Sequence, residues 1–492
     1  MELQFEKREL GCLTQVLRAV KDQELTQEVR LTEDLPDVGR VIAGWGQVIL
    51  RSKEWQGSHM TVAGAVMAWV LYAPEDGTEP RMVDAWIPFQ MKWEGAQTDR
   101  EGPMRVLPLL RFVDGRNLSA RKILIRAGLS CLAEGMTLSR TAVYTAPEVP
   151  EDVELLRRSY PLRLPREAGE KTFTLEESLD LGSSPVSRIL CCGFRPELSE
   201  SKVSGDKVDL RGTGRLHLLC SGVDGRIRAR DFEIPFSQLG ELEQMYDADP
   251  RADVMMAVTG LDVDMEEDRL ALKCSLTAQY VVSDRTMLEL VEDAYSPRRE
   301  VAIRQEELHL PAVLDETTER ICARAALPEM TPDVADAVFL PGFPQLRREG
   351  DRVKAVIPAR FQMLDGSMQA SCANWEGEAA LEADPSGFVE AQLHPIGQPQ
   401  WVAKGSGMEV RADAEICMRT VARKGIPMIT SLECGPLRDR DPGRPSLVIC
   451  RPGKRSLWEV ARASGSSAAA IRAANGLEEE PSDNRMLLIP IQ

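Results

Sequence analysis

The sequence predicts a mainly β chain: three tandem β-sandwich-like modules of one kind, followed by a small βααβ domain. Three observations predict it. Segments recur at offsets of 147 and 148 residues, apolar and polar residues alternate between Asp-Gly pairs, and the pattern changes abruptly after Ser446. A spacing this long describes tandem domains, since stacked solenoid repeats are several times shorter.

Composition sets the frame. The chain has 492 residues, 60 Lys+Arg against 77 Asp+Glu, and a formal net charge of −17. With 43% hydrophobic and 28% charged residues it is ordinary globular sequence, long enough for three or four domains. A polyanion without a segregated basic patch repels nucleic-acid phosphates, so no nucleic-acid partner is expected. The start, MELQFEKREL, lacks the basic and apolar regions of a secretory signal, and no window is apolar enough for a membrane span. The expectation is a soluble protein made in the cytosol.

Eleven cysteines include no CxxC, and the four histidines His59, His217, His309 and His394 stand singly. No metal or other cofactor is expected, and the thiols read as reduced core residues, with later cross-linking in an oxidising assembly as the alternative.

Residues 1–34 precede the recurrence and read as an N-terminal segment. The first module is placed at 35–175 and the second at 176–315, because Gly57 falls on Gly205, Gly64 on Gly212, and Ile87-Pro88-Phe89 on Ile234-Pro235-Phe236. ELLRRSYP (Glu154 to Pro161) also resembles ELVEDAYSP (Glu289 to Pro297). A third, degenerate module at 335–440 rests on Gly350-Asp351-Arg352-Val353 and Asp365-Gly366. Met60 to Tyr72 and Lys207 to Leu219 alternate as half-buried strands. The Asp-Gly pairs at 76–77, 114–115, 224–225 and 365–366 supply the positive φ of hairpin turns. Glycines within strands, Gly64, Gly212 and Gly214, predict bulges or close backbone approach. Short helices are predicted at Pro150–Ser159 and Thr286–Ala294. Trp45, Trp55, Trp69, Trp86 and Trp93 crowd the first module; such residues stack on sugars or fill cores. Their apolar replacement in the second copy favours the core.

Beyond the Pro/Gly/charged linker from Asp439 to Ser446, Leu447–Cys450 reads as a strand. Ser456 caps a helix whose stripe is Leu457, Val460 and Ala461, and Gly465 ends it. Ser466 or Ser467 caps a second helix that points Ile471 and Ala474 inward and stops at Asn475-Gly476. Leu487–Pro490 is a final strand.

The segment Leu447 to Ile491, with PG…LWEVA, a helix ending in NGL, and LLIP, resembles the LysM domain. That resemblance implies a groove between loops Gly453–Ser456 and Leu477–Asn484, which in LysM modules takes N-acetylglucosamine glycans. The family's Gly-Asp-Thr/Ser is here Gly453-Lys454-Arg455-Ser456, and the second loop carries Glu478-Glu479-Glu480. The V-x-G-x-x-x-x-V-x-G runs with IPF resemble the SPOCS domain. Tandem SPOCS modules with a terminal LysM are similar to the SipL-like spore-coat morphogenetic proteins. The resemblance implies a non-enzymatic assembly protein at the forespore surface, in the mother-cell cytoplasm. It would dock through LysM on a SpoIVA-like coat ATPase, recruit other coat proteins and self-associate. Gly453, Lys454, Arg455, Ser456, Trp458 and Leu477 are the expected partner- or glycan-binding residues, and no catalytic residue is assigned. The alternative is a LysM-mediated peptidoglycan binder of the spore cortex or cell wall. A hydrolase finds no support in a Cys/His pairing, G-x-S-x-G, HxH or phosphate loop.

Overall fold

The computed structural model describes residues 2–95, 101–145, 147–182, 185–266, 269–382, 387–422, 425–438, 443, 445–479 and 485–491. Mainly β structure fills it. A short strand β1 (Glu2–Gln4) precedes the first unit, which comprises β2 (Glu6–Arg30), β3 (Val38–Gln56), β4 (His59–Pro74), β5 (Arg81–Glu94), β6 (Met104–Ser119) and β7 (Lys122–Thr145). The outer strands close on each other: β2 pairs with β7 from Glu6↔Thr145 to Arg30↔Lys122, and β7 pairs with β6. The inner three form a second sheet, β3-β4-β5. In β5 the buried Val83, Ile87, Phe89, Met91 and Trp93 fall on one parity, the period of a strand with one face on a core.

The second unit repeats this plan with β8 (Glu154–Asp180), β9 (Val186–Gly222), β10 (Ile227–Tyr246), β11 (Arg251–Glu266) and β12 (Arg269–Tyr295). Strand β9 doubles back at Gly205 (φ 61°), where Ser199 Oγ donates to the Arg211 carbonyl, and so supplies two strands of the plan. The third unit splits its long strands. Its elements are β13 (Val301–His309), β14 (Ala312–Leu327), β15 (Val334–Pro341), β16 (Gln345–Glu349), β17 (Arg352–Asp365), β18 (Ala370–Glu382), β19 (Gly387–Lys404), β20 (Gly407–Ala422) and β21 (Gly425–Cys434). Here β13 pairs with β21 and β14 with β20, as β2 does with β7. The C-terminal domain is β22 (Leu447–Cys450), α1 (Leu457–Ser464), α2 (Ala468–Asn475) and β23 (Leu487–Pro490).

Pairing groups residues 6–145, 154–295 and 301–434, with one bridge from Val313 to Arg163 joining the second and third groups in a six-stranded sheet. The limits read from sequence cut across it. Residues 1–34 hold the first unit's longest strand, the 175/176 boundary divides β8, and 315 lies inside β14. These outer strands are rich in charge and mostly half exposed, so they carry little alternation to read. The two helix expectations are corrected. Glu154–Pro161 and Met287–Tyr295 are the antiparallel ends of β8 and β12, and they pair with each other, Leu290 with Arg158 and Glu289 with Ser159. Their likeness is that of sheet neighbours, not of copies; long-range pairing overrides the local helical preference.

The repeated glycines are explained by geometry. Gly57, Gly205 and Gly350 occupy the same hairpin turn with φ of 56°, 61° and 65°. Asp76-Gly77 and Asp224-Gly225 form the next turn. In the third unit Met368 takes the positive φ after Asp365-Gly366. Asp114-Gly115 is a correction: it lies inside β6, where a Cβ on Gly115 would sit 2.6 Å from Val70. Gly64 faces Phe89 across β4/β5, and Gly212 faces Phe236 across β9/β10, each ring lying against the glycine. In the third unit the pair is reversed as Ile357–Gly377. The adjacent proline changes strand too: Pro88 and Pro235 sit on the strand after the turn, Pro358 on the one before it. The third copy does not keep the cross-strand ring contact: the ring against Gly377 is that of Trp375 on its own strand.

The units close on one another. Cys12 and Val143 of the first share a core with Leu162, Leu164, Leu288 and Leu290 of the second and Leu308, Leu310, Ile426 and Met428 of the third. A second shared core joins Trp45 and Leu71, Leu190 and Leu219, and Ala335 and Leu364. Strand β1 pairs with β21, tying the first described residues to the third unit. Among the described residues no helix is long and apolar enough to cross a membrane.

Candidate functional site

The C-terminal domain places every expected element. Ser456 caps α1 with its side chain accepting from Glu459 N, while the Glu459 carboxylate accepts from Ser456 N, a capping box. Leu457, Val460 and Ala461 are buried, and Gly465 and Gly476 end the helices in the left-handed conformation. Ser467 caps α2, and Ile471 is its buried residue. Ala474, expected inward, is exposed. An eight-residue helix lying on a two-stranded sheet has one buried line, and Ile471 occupies it.

The six residues singled out from sequence do not form one surface. Gly453 (φ 60°), Lys454 and Ser456 are exposed on the turn before α1. Arg455 folds back on this turn, donating to the carbonyls of Pro452 and Arg451. Leu477 packs against the domain core, its N–H donating to the Arg472 carbonyl. Of the second loop, residues 480–484 lie outside the described residues.

Trp458 faces the second unit. Its indole Nε1 donates to Asp293 Oδ2 at 2.8 Å, its ring meets Tyr295 edge-on at 4.7 Å, and Arg462 reaches the same Asp293 oxygen at 2.5 Å. Tyr295 in turn donates its hydroxyl to the Ser466 carbonyl at 2.9 Å; burial, with Glu154 and Asp293 nearby, pushes this phenol's pKa upward. Trp458 is thus the bolt between the C-terminal domain and the second unit rather than a free contact. Asp293→Ala removes the one acceptor that both donors share, a loss of about 1.5–3 kcal/mol for bonds to a charged group. The expected result is faster proteolytic cutting between residues 435 and 446 with the units still folded, read by limited digestion and mass spectrometry.

The opposite side of the domain is open. On β22 and β23 the side chains Val448, Cys450, Leu487 and Ile489 face the domain core. The other parity, Leu447 (51% exposed), Ile449 (58%), Met486 (53%) and Leu488 (39%), faces outward. Ile449 and Leu488 are direct cross-strand neighbours.

A second feature lies where the units meet. A cavity of about 160 Å³ is lined by the β3 segment 44–47, the β9 segment 191–195 and the β15 segment up to Leu340. Trp45 Nε1 donates to the buried Asp336 at 2.6 Å, joining units one and three. His217 of unit two lies 2.7 Å from Asp231 and 3.0 Å from Asp336. Burial opposes a charged ring here, but Asp336 and Asp231 outweigh it and push His217 up to about 10, so it is an imidazolium at neutral pH. Of the five clustered tryptophans, Trp45, Trp55, Trp69 and Trp93 are buried, as a core role requires. Trp86 is exposed and lies under the Arg51 guanidinium at 5.1 Å.

At another three-way contact, Arg105 and Glu134 of unit one meet Asp253 of unit two and Glu390 and Arg419 of unit three. Arg105 lies 2.5 Å from Glu134 and 2.9 Å from Asp253. Arg419 lies 2.8 Å from Asp253 and 2.6 Å from Glu390. Arg18 adds a 2.8 Å pair to Glu134. Burial would raise both acids, yet Arg419 and Arg105 hold Asp253 far below its usual range, and Arg105 and Arg18 hold Glu134 lowered. None of these residues stands out in sequence, because their partners lie in other units.

No family model, curated protein or solved structure matches the chain.

Proposed function

We propose that this chain is a non-enzymatic assembly protein of the spore coat. It docks through its C-terminal domain on a SpoIVA-like coat ATPase and recruits or polymerises coat components at the forespore surface, in the mother-cell cytoplasm. The observation that carries the reading is the mounting of that domain. Trp458 and Arg462 fasten one side to Asp293, and the turn Gly453–Ser456, with Lys454 exposed, is left to meet a partner. A cationic turn on a fastened domain suits a carboxylate-bearing protein surface better than a neutral sugar, and three similar units packed on shared cores offer several further surfaces at high effective concentration.

The test is a paired retention assay on the full chain. One arm offers the coat ATPase of the same organism, the other insoluble peptidoglycan with chitin as control. The reading predicts binding to the ATPase, weakened about tenfold by Lys454→Glu, a loss typical of a contact residue near the centre of an interface. Retention on peptidoglycan with no affinity for the ATPase overturns it in favour of a wall-anchoring protein.

A further inference from the structure

The structure assigns the outer face of the β22–β23 sheet to head-to-tail contact with the acidic face of β10 in a second copy of the chain. Four large apolar side chains, Leu447, Ile449, Met486 and Leu488, are each 39% to 58% exposed on one face of a domain only 47 residues long. Scattered surface aliphatics need no explanation, but two cross-strand neighbours flanked by two more form a contiguous strip, and such strips mark interaction sites.

The strip has a cationic rim. Arg451 continues the outward parity of β22 and donates to Met486 Sδ. Arg485 donates to the Asn475 carbonyl, and Lys454 and Arg455 stand on the adjoining turn. Among the described residues none of these four cations is paired with a carboxylate. Residues 446–492 carry a net charge of +1, so the other 445 residues carry −18. A positively rimmed apolar strip on an otherwise acidic chain is the complement of that chain's own surface.

Strand β10 supplies the matching face. Leu239 (51% exposed) and Met245 (75%) lie at its far end, with exposed Glu241 and Glu243 between them and Asp247 just beyond. Residues 239, 241 and 243 share one parity and therefore one face. On the neighbouring strand Asp209, paired with Arg211, lies across from Leu239 and Lys207 across from Glu241, so among the described residues the free acids of the face are Glu243 and, just beyond, Asp247. Both surfaces stay exposed while the C-terminal domain is fastened to Asp293, so a single chain does not satisfy them. The two surfaces differ from each other. Their contact is heterologous, and repeated copies extend as an open chain unless the rotation closes a ring.

Sedimentation velocity of the full chain over a range of concentrations tests this. Concentration-dependent association is expected, weakened about tenfold or more by Ile449→Asp with Leu488→Asp, as for central apolar anchors. Both positions face solvent, so circular dichroism and thermal unfolding are expected to stay unchanged. Glu241→Lys with Glu243→Lys, in a different unit, carries the same test should the first pair misfold. Combining it with Arg451→Glu and Arg485→Glu restores association. A chain that stays monomeric at every concentration, or an association indifferent to both pairs, overturns the assignment. The coat reading fails separately: it is lost only when the ATPase arm of the retention assay is empty, whatever the state of self-association.

Discussion

Replacing Glu134 with Ala is expected to destabilise the chain by about 3–5 kcal/mol, the cost of leaving buried guanidiniums without their counter-ion. Glu134 and Arg105 have side chains only 3% exposed, and Glu134 is the shared acceptor of Arg105 and Arg18. Without it Arg105 keeps Asp253 alone, and Arg18 keeps only the distant Glu390 at 3.7 Å. The control is Glu28→Ala. That residue pairs with Lys122 on the surface, where an ion pair is worth less than about 1 kcal/mol. Denaturant titration of the two variants beside the parent chain measures the difference. The cluster also fixes a pH dependence. Asp253 and Glu134 have lowered pKa values in the fold, so their stabilisation is complete above the unfolded carboxylate range and is lost as pH falls through the folded values. Stability of the parent is expected to drop on acidification, and Glu134→Ala to flatten that drop.

The second large effect is expected at Gly64 and Gly212. A Cβ on Gly64 would lie 2.3 Å from the Ile49 carbonyl oxygen and 2.6 Å from the Phe89 ring. On Gly212 it would lie 2.3 Å from the Glu197 carbonyl oxygen and 2.5 Å from the Phe236 ring. Backbone on one side and a buried ring on the other leave no cheap relaxation, so Gly64→Val and Gly212→Val are each expected to cost about 3 kcal/mol or more, the upper end for an overfilled core. Gly57→Ala is the contrast. Its Cβ would meet open space, and only the positive φ is penalised, at about 1 kcal/mol. Equal losses at Gly57 and Gly64 would refute the close-packing account of the recurring glycine and phenylalanine.

How far the fold could be read depends on how local its causes are. The C-terminal domain was legible to its capping residues, because Ser456, Glu459, Gly465 and Gly476 act within one turn of their own helix. The turn glycines at 77 and 225 were legible for the same reason, positive φ being a local demand that glycine meets, whereas Gly57, Gly205 and Gly350 showed in the sequence only as recurrences. The outer strands were not, since β2 and β8 find their partners 89 to 141 residues away and bury little on the way. In the third unit the glycine stands at Gly377, on the strand after the turn and opposite Ile357, so position-by-position comparison with Gly64 and Gly212 does not find it. The candidate contact residues divided similarly. Lys454 was placed on an exposed turn as expected, but the use of Trp458 depended on Asp293 and Tyr295, which nothing near them in sequence marks. The apolar strip did leave a trace, for Leu447–Cys450 is apolar at both parities, more than a strand with one solvated face requires.

The central claim is that three copies of one unit are locked around shared contacts into one body. Hydrogen exchange of Glu134→Ala against the parent tests it most directly. The account predicts faster exchange in β6 and β7, in β11, and in β19 and β20, because Arg105, Asp253, Glu390 and Arg419 lose their balance together. Faster exchange confined to β6 and β7, with units two and three as protected as in the parent, would contradict it.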